Sequence, residues 1–113
     1  MLWYDFEAGN KAYKLRLNTR NTVTLEKALG CNPLAIFGNG ETIPTVTEMA
    51  QILFCSLQQY HHGITLNDAF DIFDQFLDDG NAVTDFIPVI LEVYKVSGLI
   101  RSDTKVAEGT EKN

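Results

Sequence analysis

The stretch from Thr45 to His62, TVTEMAQILFCSLQQYHH, predicts a long helix at the centre of the fold. Thr45 and Glu48 have the spacing of a capping box, in which each side chain satisfies a backbone N–H of the first helical turn. Gly63 follows as a helix stop. Further apolar residues lie outside the main apolar face, so we predict a helix buried on more than one side. The main face repeats at three- and four-residue steps, the period of a helix, through Val46, Met49, Ala50, Leu53, Leu57 and Tyr60.

Two predicted strands precede this helix, over Leu2–Glu7 and Ala12–Leu17. The first is rich in aromatic residues, and the second alternates apolar with basic residues, which is typical of a strand with one covered face. Ala8-Gly9-Asn10-Lys11 between them is typical of a turn. We therefore predict a β-hairpin, which must pack on the helices or pair with another chain because a lone hairpin is marginal in water.

Three more helices and one helical turn complete the prediction. A helix begins at Asn18 or Thr19 and runs through Leu29, and Pro33–Phe37 forms a single turn with proline in its first position. A helix capped by Thr65 runs to about Asp79. A last helix, capped by Thr84, ends at Gly98.

The apolar pattern assigns a buried face to each of these helices. In the first helix the expected buried residues are Val23, Leu25, Ala28 and Leu29. In the helix after Thr65 they are Leu66, Ala69, Phe70, Phe73, Phe76 and Leu77. The last helix has two apolar stripes, which indicates two packing partners; the second partner is either the hairpin or another subunit. The stripes are Phe86, Ile87, Ile90, Leu91 and Tyr94, and Val89, Val93 and Val96.

The resulting fold class is mainly α, a small domain of about four helices with an N-terminal β-hairpin as a minor α+β feature. We expect one domain over residues 1–100, with the hairpin in 1–17 and the helices in 18–100. Residues 101–113 are polar with one valine and no aromatic residue, a composition that predicts a disordered tail.

Charge is unevenly distributed along a chain whose formal net charge is −6. Five basic residues lie in the first quarter, whereas the span from Ala28 to Tyr94 holds nine acids and no Lys or Arg. Because phosphate binding needs clustered cations, an acidic body argues against a nucleic-acid partner. The basic quarter could bind an anion or the acidic body of a second copy, or both regions could simply be solvated.

Nothing in the sequence predicts a membrane segment or an exported protein. No apolar run approaches the roughly 18–20 residues that a membrane span needs, and the first residues carry acids where a signal peptide has a basic region. Cys31 and Cys55 are the only cysteines, and we expect reduced, buried thiols.

The residues most able to support chemistry do not form a recognisable site. His61 and His62 are adjacent, so on a helix their side chains diverge by about 100° and cannot easily share a metal. The acids at 68, 71, 74 and 78 form a row along one helix, but their spacing fails the pattern of an EF-hand loop. We therefore expect no enzyme activity, no cofactor and no metal. A small metal- or ligand-binding domain that uses both histidines and the acidic helix remains an alternative.

Residues from Tyr13 to Gly98 resemble the tail assembly chaperones of long-tailed phages and prophages of Gram-positive bacteria. The resemblance rests on the order and spacing of several short elements. They are Lys14-Leu15-Arg16-Leu17 before Thr19, Leu25-Glu26 with Leu29-Gly30, Asn32-Pro33-Leu34, a Gly-Asn-Gly loop, Leu57-Gln58, His62-Gly63-Ile64 and Ser97-Gly98.

The resemblance implies a non-enzymatic protein that binds helical segments of the tape-measure protein, keeps it soluble and helps tail-tube subunits assemble. It also implies self-association and a location in the host bacterial cytoplasm, outside the mature virion. A host-encoded adaptor protein is a further alternative. An apolar groove on an acidic body would suit this role, and the candidate partner-binding residues are Trp3, Phe54, Tyr60, Phe70, Phe73 and Tyr94.

Overall fold

A computed structural model describes residues 2–38, 40 and 42–103. It contains a two-stranded hairpin, β1 (Tyr4–Ala8) and β2 (Lys11–Leu15), followed by four α-helices. The helices are α1 (Thr19–Leu29), α2 (Val46–Leu57), α3 (Leu66–Asp78) and α4 (Phe86–Val96). The predicted fold class, mainly helical with an N-terminal hairpin, is confirmed. Most of the expected tail, residues 104–113, lies outside the described residues.

The hairpin is shorter at its open end than predicted. Its antiparallel register pairs Tyr4 with Leu15 and Ala8 with Lys11. Gly9 and Asn10 form the two-residue turn with φ of 59° and 67°, the left-handed values that such a turn requires. The strand does not continue past Leu15, since the backbone N–H of Arg16 donates to the carbonyl of Ser56 in α2.

Helix α2 is the central element, as the sequence predicts, but it is shorter. The capping box of Thr45 and Glu48 is present, and seven of the twelve helical residues are buried, which confirms burial on more than one side. The helix ends at Leu57 rather than His62. The Gln58 side chain donates to the carbonyls of both Phe54 and Ile64, so the chain folds back over that residue.

The predicted buried faces of α1 and α3 need correction. In α1 the caps at Asn18 and Gly30 are as predicted, yet only Leu25 is fully buried and Val23 is 44% exposed. In α3 the capping box of Thr65 is present, but Ile72 is buried and Phe70 is 45% exposed. In each helix, the neighbouring elements cover a narrower face than the one that carries apolar residues.

Helix α4 begins differently from the prediction. A short 3₁₀ turn over Val83–Asp85 precedes it, and the Asp85 carboxylate accepts the Ala82 backbone N–H, so Thr84 is not the cap. The helix ends in the left-handed Gly98, after which the Leu99 N–H donates to the Tyr94 carbonyl. Strand β1 contacts both α3 and α4, so the hairpin is one of the two packing partners expected for α4.

A cluster of four aromatic rings joins the hairpin to α3 and α4. Phe86 lies at its centre, with ring centroids 5.1 Å from Phe73, 5.9 Å from Phe6 and 5.9 Å from Phe76. Edge-to-face geometry of this kind adds stability beyond the buried area. The cluster fixes one side of α3 against the hairpin. The opposite side of α3, next to α2, is left exposed at the surface.

Candidate functional site

A shallow apolar groove between α2 and α3 is the best candidate for a binding site. Its volume is about 230 Å³. Two of its side chains are unusually exposed for their type, Val46 at 51% and Phe70 at 45%. Thr47 and Gln51 add polar groups at one edge, and the full lining is Val46, Thr47, Ala50, Gln51, Phe70, Phe73 and Asp74.

The groove exists because the apolar arc of each helix is wider than the contact between them. Ala50 is small and buried, so α2 presents no bulk at the middle of the groove. Phe73 points into the aromatic cluster and is only 4% exposed, whereas Phe70, one turn earlier, has no such neighbour and stays at the surface. Aromatic surface left in water in this way is the usual mark of a binding region when it forms a patch.

The α3 side of the groove is acidic. Asp74 lines it, and Asp71 and Asp78 lie one turn away on the same exposed side of the helix. Within the described residues, the ion pairs present join Lys95 to Glu92 and Arg101 to Asp103. The α3 acids take part in neither pair, so the negative charge beside the groove is not neutralised by them.

Two of the predicted partner-binding residues form a separate cluster beside the hairpin. Trp3 and Tyr60 are half-buried and contact each other edge to face, with centroids 5.7 Å apart. The Lys14 ammonium lies 4.5 Å from the centre of the Trp3 ring, and the indole N–H donates to Asp5. Since these side chains contact one another within the chain, the cluster ties the start of β1 to the end of α2.

The other four predicted residues are placed very differently from one another. Phe70 and Phe73 line the groove. Phe54 is half-buried against the core on α2. Tyr94 is fully buried, and its hydroxyl donates to the Pro33 carbonyl at 2.9 Å, so it lies away from the surface. The structure therefore brings only two of the six residues together in the groove.

The apolar period places Val46 and Ala50 in the buried stripe of α2, so the sequence does not indicate them as groove residues. The available signal was the width of the apolar surface on that helix. Val46 also follows directly after the cap residue Thr45, and the first turn of a helix is often less covered than its middle. The pattern alone does not say which edge a neighbouring helix leaves open.

A second, more polar groove of about 450 Å³ runs along α1 beside the end of α4. Its lining includes Arg16, Asn18, Glu26 and Ser97, and the Ser97 hydroxyl accepts the Leu17 backbone N–H. It carries both charge signs and lacks an exposed aromatic residue.

His61 has a structural role between α2 and the hairpin. Its Nε2 accepts the Lys14 backbone N–H at 2.9 Å, and its ring meets Tyr13 edge to face. Burial, followed by the charges of Lys14 and Lys11, lowers the pKa of His61 below its usual value. His62 is exposed. In the part of the chain that the structure describes, no three His, Cys, Asp or Glu side chains come close enough to hold a metal ion.

Both cysteines are free thiols, and their surroundings differ. Cys55 is buried in α2, and burial raises its pKa to about 11, so the thiol stays protonated and unreactive near neutral pH. Cys31 is half-buried. The prediction of burial is confirmed for Cys55 and holds only in part for Cys31.

Over the described residues, none of the helices is long and apolar enough to cross a membrane. The two longest, α2 and α3, have 12 and 13 residues, whereas a span needs about 20.

Comparison with known proteins identifies a family. The family of unknown function DUF6096 matches residues 5–113, which include all of the hairpin but Tyr4, all four helices and the groove. No curated protein and no solved structure matches the chain. Because the family match extends over most of the sequence, this chain belongs to the family of unknown function DUF6096.

Proposed function

We propose that this chain is a non-enzymatic tail assembly chaperone of a long-tailed phage or prophage. In this role it binds helical segments of the tape-measure protein, keeps that protein soluble, and promotes assembly of tail-tube subunits around it. It acts in the host bacterial cytoplasm and is absent from the finished virion. It also associates with further copies of itself.

The observation that carries the proposal is the apolar groove between α2 and α3. Recognition of an amphipathic helix requires a preformed apolar groove on a soluble body, into which residues one turn apart can insert. Val46 and Phe70 provide exposed apolar walls, and the other fully exposed residues of these two helices are polar or acidic. The order of short elements shared with tail assembly chaperones, from Lys14 to Gly98, supports the same role.

The acidic character of the body suits a protein that coats another protein in many copies. Loaded complexes that all carry this acidic surface repel one another, which keeps them apart in solution. A tape-measure protein is long and helical, so it presents a repeated binding element to a small domain that binds through the groove between α2 and α3. Repetition along one partner compensates for weak binding at each groove.

Co-expression of this chain with the tape-measure protein encoded by the neighbouring gene tests the proposal. We expect the tape-measure protein to move from the pellet to the soluble fraction when the chain is present, and to co-purify with it. A tape-measure protein that remains insoluble with an equal amount of folded chain would contradict the proposal. An unrelated acidic helical protein of similar size, expressed in the same way, controls for a general effect of co-expression.

A further inference from the structure

We propose that the groove between α2 and α3 takes one turn of an amphipathic partner helix that carries two aliphatic side chains and is flanked by Lys or Arg. This inference deepens the proposed function, on which it rests for the identity of the partner as a tape-measure protein. The class of helix follows from the size, length and charge of the groove itself.

The size of the groove favours a side chain of a larger partner over a free small molecule. Its volume of about 230 Å³ is below the roughly 300–1,000 Å³ typical of small-molecule pockets. It is open on one side, and its floor includes Ala50. One or two aliphatic side chains fill a space of this volume.

The length of the groove sets the spacing of those side chains. Its α2 wall runs from Val46 to Gln51, and its α3 wall from Phe70 to Asp74. At 1.5 Å per residue these walls span roughly 6–8 Å, just over one helical turn. A partner helix would therefore insert residues at positions i and i+3 or i+4, which lie on one face.

Charge decides what flanks the inserted residues. Asp74 lines the groove, and Asp71 and Asp78 extend the acidic side along α3. From Ala28 to Tyr94 the sequence contains no Lys or Arg, so neither wall helix supplies a cation. A partner with Lys or Arg beside its apolar residues complements this edge, which raises its association rate and makes binding sensitive to salt.

A second copy of the chain is the competing occupant, and it fits less well. The exposed side of α1 carries Arg20 and Lys27 around Val23, but also the acidic Glu26, so its charge is only partly complementary to the groove. It offers one large exposed apolar side chain, Val23 at 44%, where the groove has room for two. The partner helix is therefore the better occupant, and self-docking is an outcome that the test distinguishes.

Binding of a synthetic helical peptide to the isolated full chain tests the inference. The probe has Leu at i, i+3, i+4 and i+7, Lys at the flanking positions and Ala elsewhere, with a fluorescent label for anisotropy; the matched probe has Glu in place of Lys. We expect the Lys peptide to bind at least about tenfold tighter than the Glu peptide, and to weaken as salt is raised. Equal binding of the two peptides would overturn the charge argument.

Matched variants locate the site on the chain. Phe70→Ala is expected to weaken the Lys peptide at least about tenfold, since central aromatic side chains carry most of the binding energy. Val46→Ala should weaken it about threefold or more, and Val23→Ala, the same change on α1, should leave it within about twofold. Asp74→Asn should reduce the salt dependence, whereas Glu26→Gln on α1 should not. Circular dichroism checks that each variant is folded.

The failures of the two proposals are distinguishable. If the wild-type chain solubilises the tape-measure protein but Phe70→Ala does so equally well, the groove assignment is wrong and the chaperone function stands. If the Lys peptide binds in the groove but the tape-measure protein stays insoluble, the chaperone function is wrong. If Val23→Ala and Val46→Ala both abolish self-association while the peptide fails to bind, a second copy is the occupant and the inference is overturned.

Discussion

The Tyr94→Phe variant gives the sharpest test of how the core is held together. The Tyr94 side chain is fully buried, and its hydroxyl donates to the Pro33 carbonyl at 2.9 Å, which joins α4 to the 3₁₀ turn after α1. The substitution removes the hydroxyl and leaves a buried carbonyl without this donor. A neutral hydrogen bond contributes about 0.5–1.5 kcal/mol, and a stranded buried acceptor costs about 1–3 kcal/mol.

We therefore expect Tyr94→Phe to lower the free energy of unfolding by about 1–2 kcal/mol at pH 7. For a domain of this size that corresponds to a fall in Tm of roughly 4–10 °C. Urea unfolding followed by circular dichroism measures the difference. Tyr60→Phe is the matched control, because the Tyr60 ring is only half-buried, and we expect it to change stability by less than about 0.5 kcal/mol.

The difference in stability between the wild type and Tyr94→Phe should also depend on pH. Burial, followed by the charges of Cys31 and Glu48, raises the pKa of Tyr94 above its usual value. A raised folded-state pKa stabilises the protein fully below the unfolded pKa of about 10, and this contribution is lost as pH rises towards the folded-state pKa. The variant lacks the group, so the stability gap between the two proteins should shrink by about 1 kcal/mol between pH 9 and pH 11.

Two results would refute this reasoning. The first is a Tyr94→Phe protein as stable as the wild type at pH 7, which would mean that the Pro33 carbonyl does not depend on the hydroxyl. The second is a stability gap that stays constant from pH 9 to pH 11, which would mean that the Tyr94 hydroxyl ionises as readily in the folded chain as in the unfolded one.

Three further predictions concern the histidine, a helix cap and the aromatic cluster. The pKa of His61 is lowered in the folded chain. The free energy of unfolding should therefore be highest above the unfolded-state pKa of about 6.5 and should fall as the pH drops below that value, because the protonated ring cannot accept the Lys14 N–H. Urea midpoints at pH 7.5 and 5.5 measure the loss. Thr65→Ala should lower the free energy of unfolding by about 1 kcal/mol, because it removes the acceptor for the Asp68 N–H. The loss is measured as a lower Tm. Phe86→Ala should lower the free energy of unfolding by about 3–5 kcal/mol, because the Phe86 ring is fully buried. Urea unfolding measures the loss.

Each of these has a control and a contrary result. For the histidine, His61→Ala should remove most of the difference between pH 7.5 and 5.5, and an unchanged difference would place the effect elsewhere. For the cap, Thr47→Ala is a matched threonine change inside α2, and an equal cost at both positions would contradict a capping role for Thr65. For the cluster, the exposed Phe70→Ala should cost far less than Phe86→Ala.

Except for the end of α2 and the start of α4, the helix ends could be predicted from the sequence because they depend on neighbouring residues. Thr45 with Glu48 and Thr65 with Asp68 form their capping boxes within four residues, and Gly30 ends α1 through its own left-handed backbone. No distant contact is needed for any of these. The N-terminal hairpin was predictable for the same reason, since its turn and alternation are local.

The faces of the helices could not be predicted in the same way. Ile72 is buried because it lies one turn before Phe76, which contacts Phe6 of β1, and nothing near Ile72 in the sequence indicates that strand. Phe70 fits the apolar period as well as Phe73 does, yet only Phe73 has an aromatic neighbour on α4. The groove is a consequence of these distant contacts, so its position emerged only with the structure.

The mass of the purified complex is the most direct test of the central claim, that this chain coats a helical partner. Size-exclusion chromatography with light scattering, run on the chain co-expressed with the tape-measure protein, measures that mass. We predict one soluble species that contains one tape-measure protein and many copies of the chain, and that loses copies when Phe70 is changed to Ala. A chain that elutes alone as a monomer, with the tape-measure protein left in the pellet, would contradict the claim.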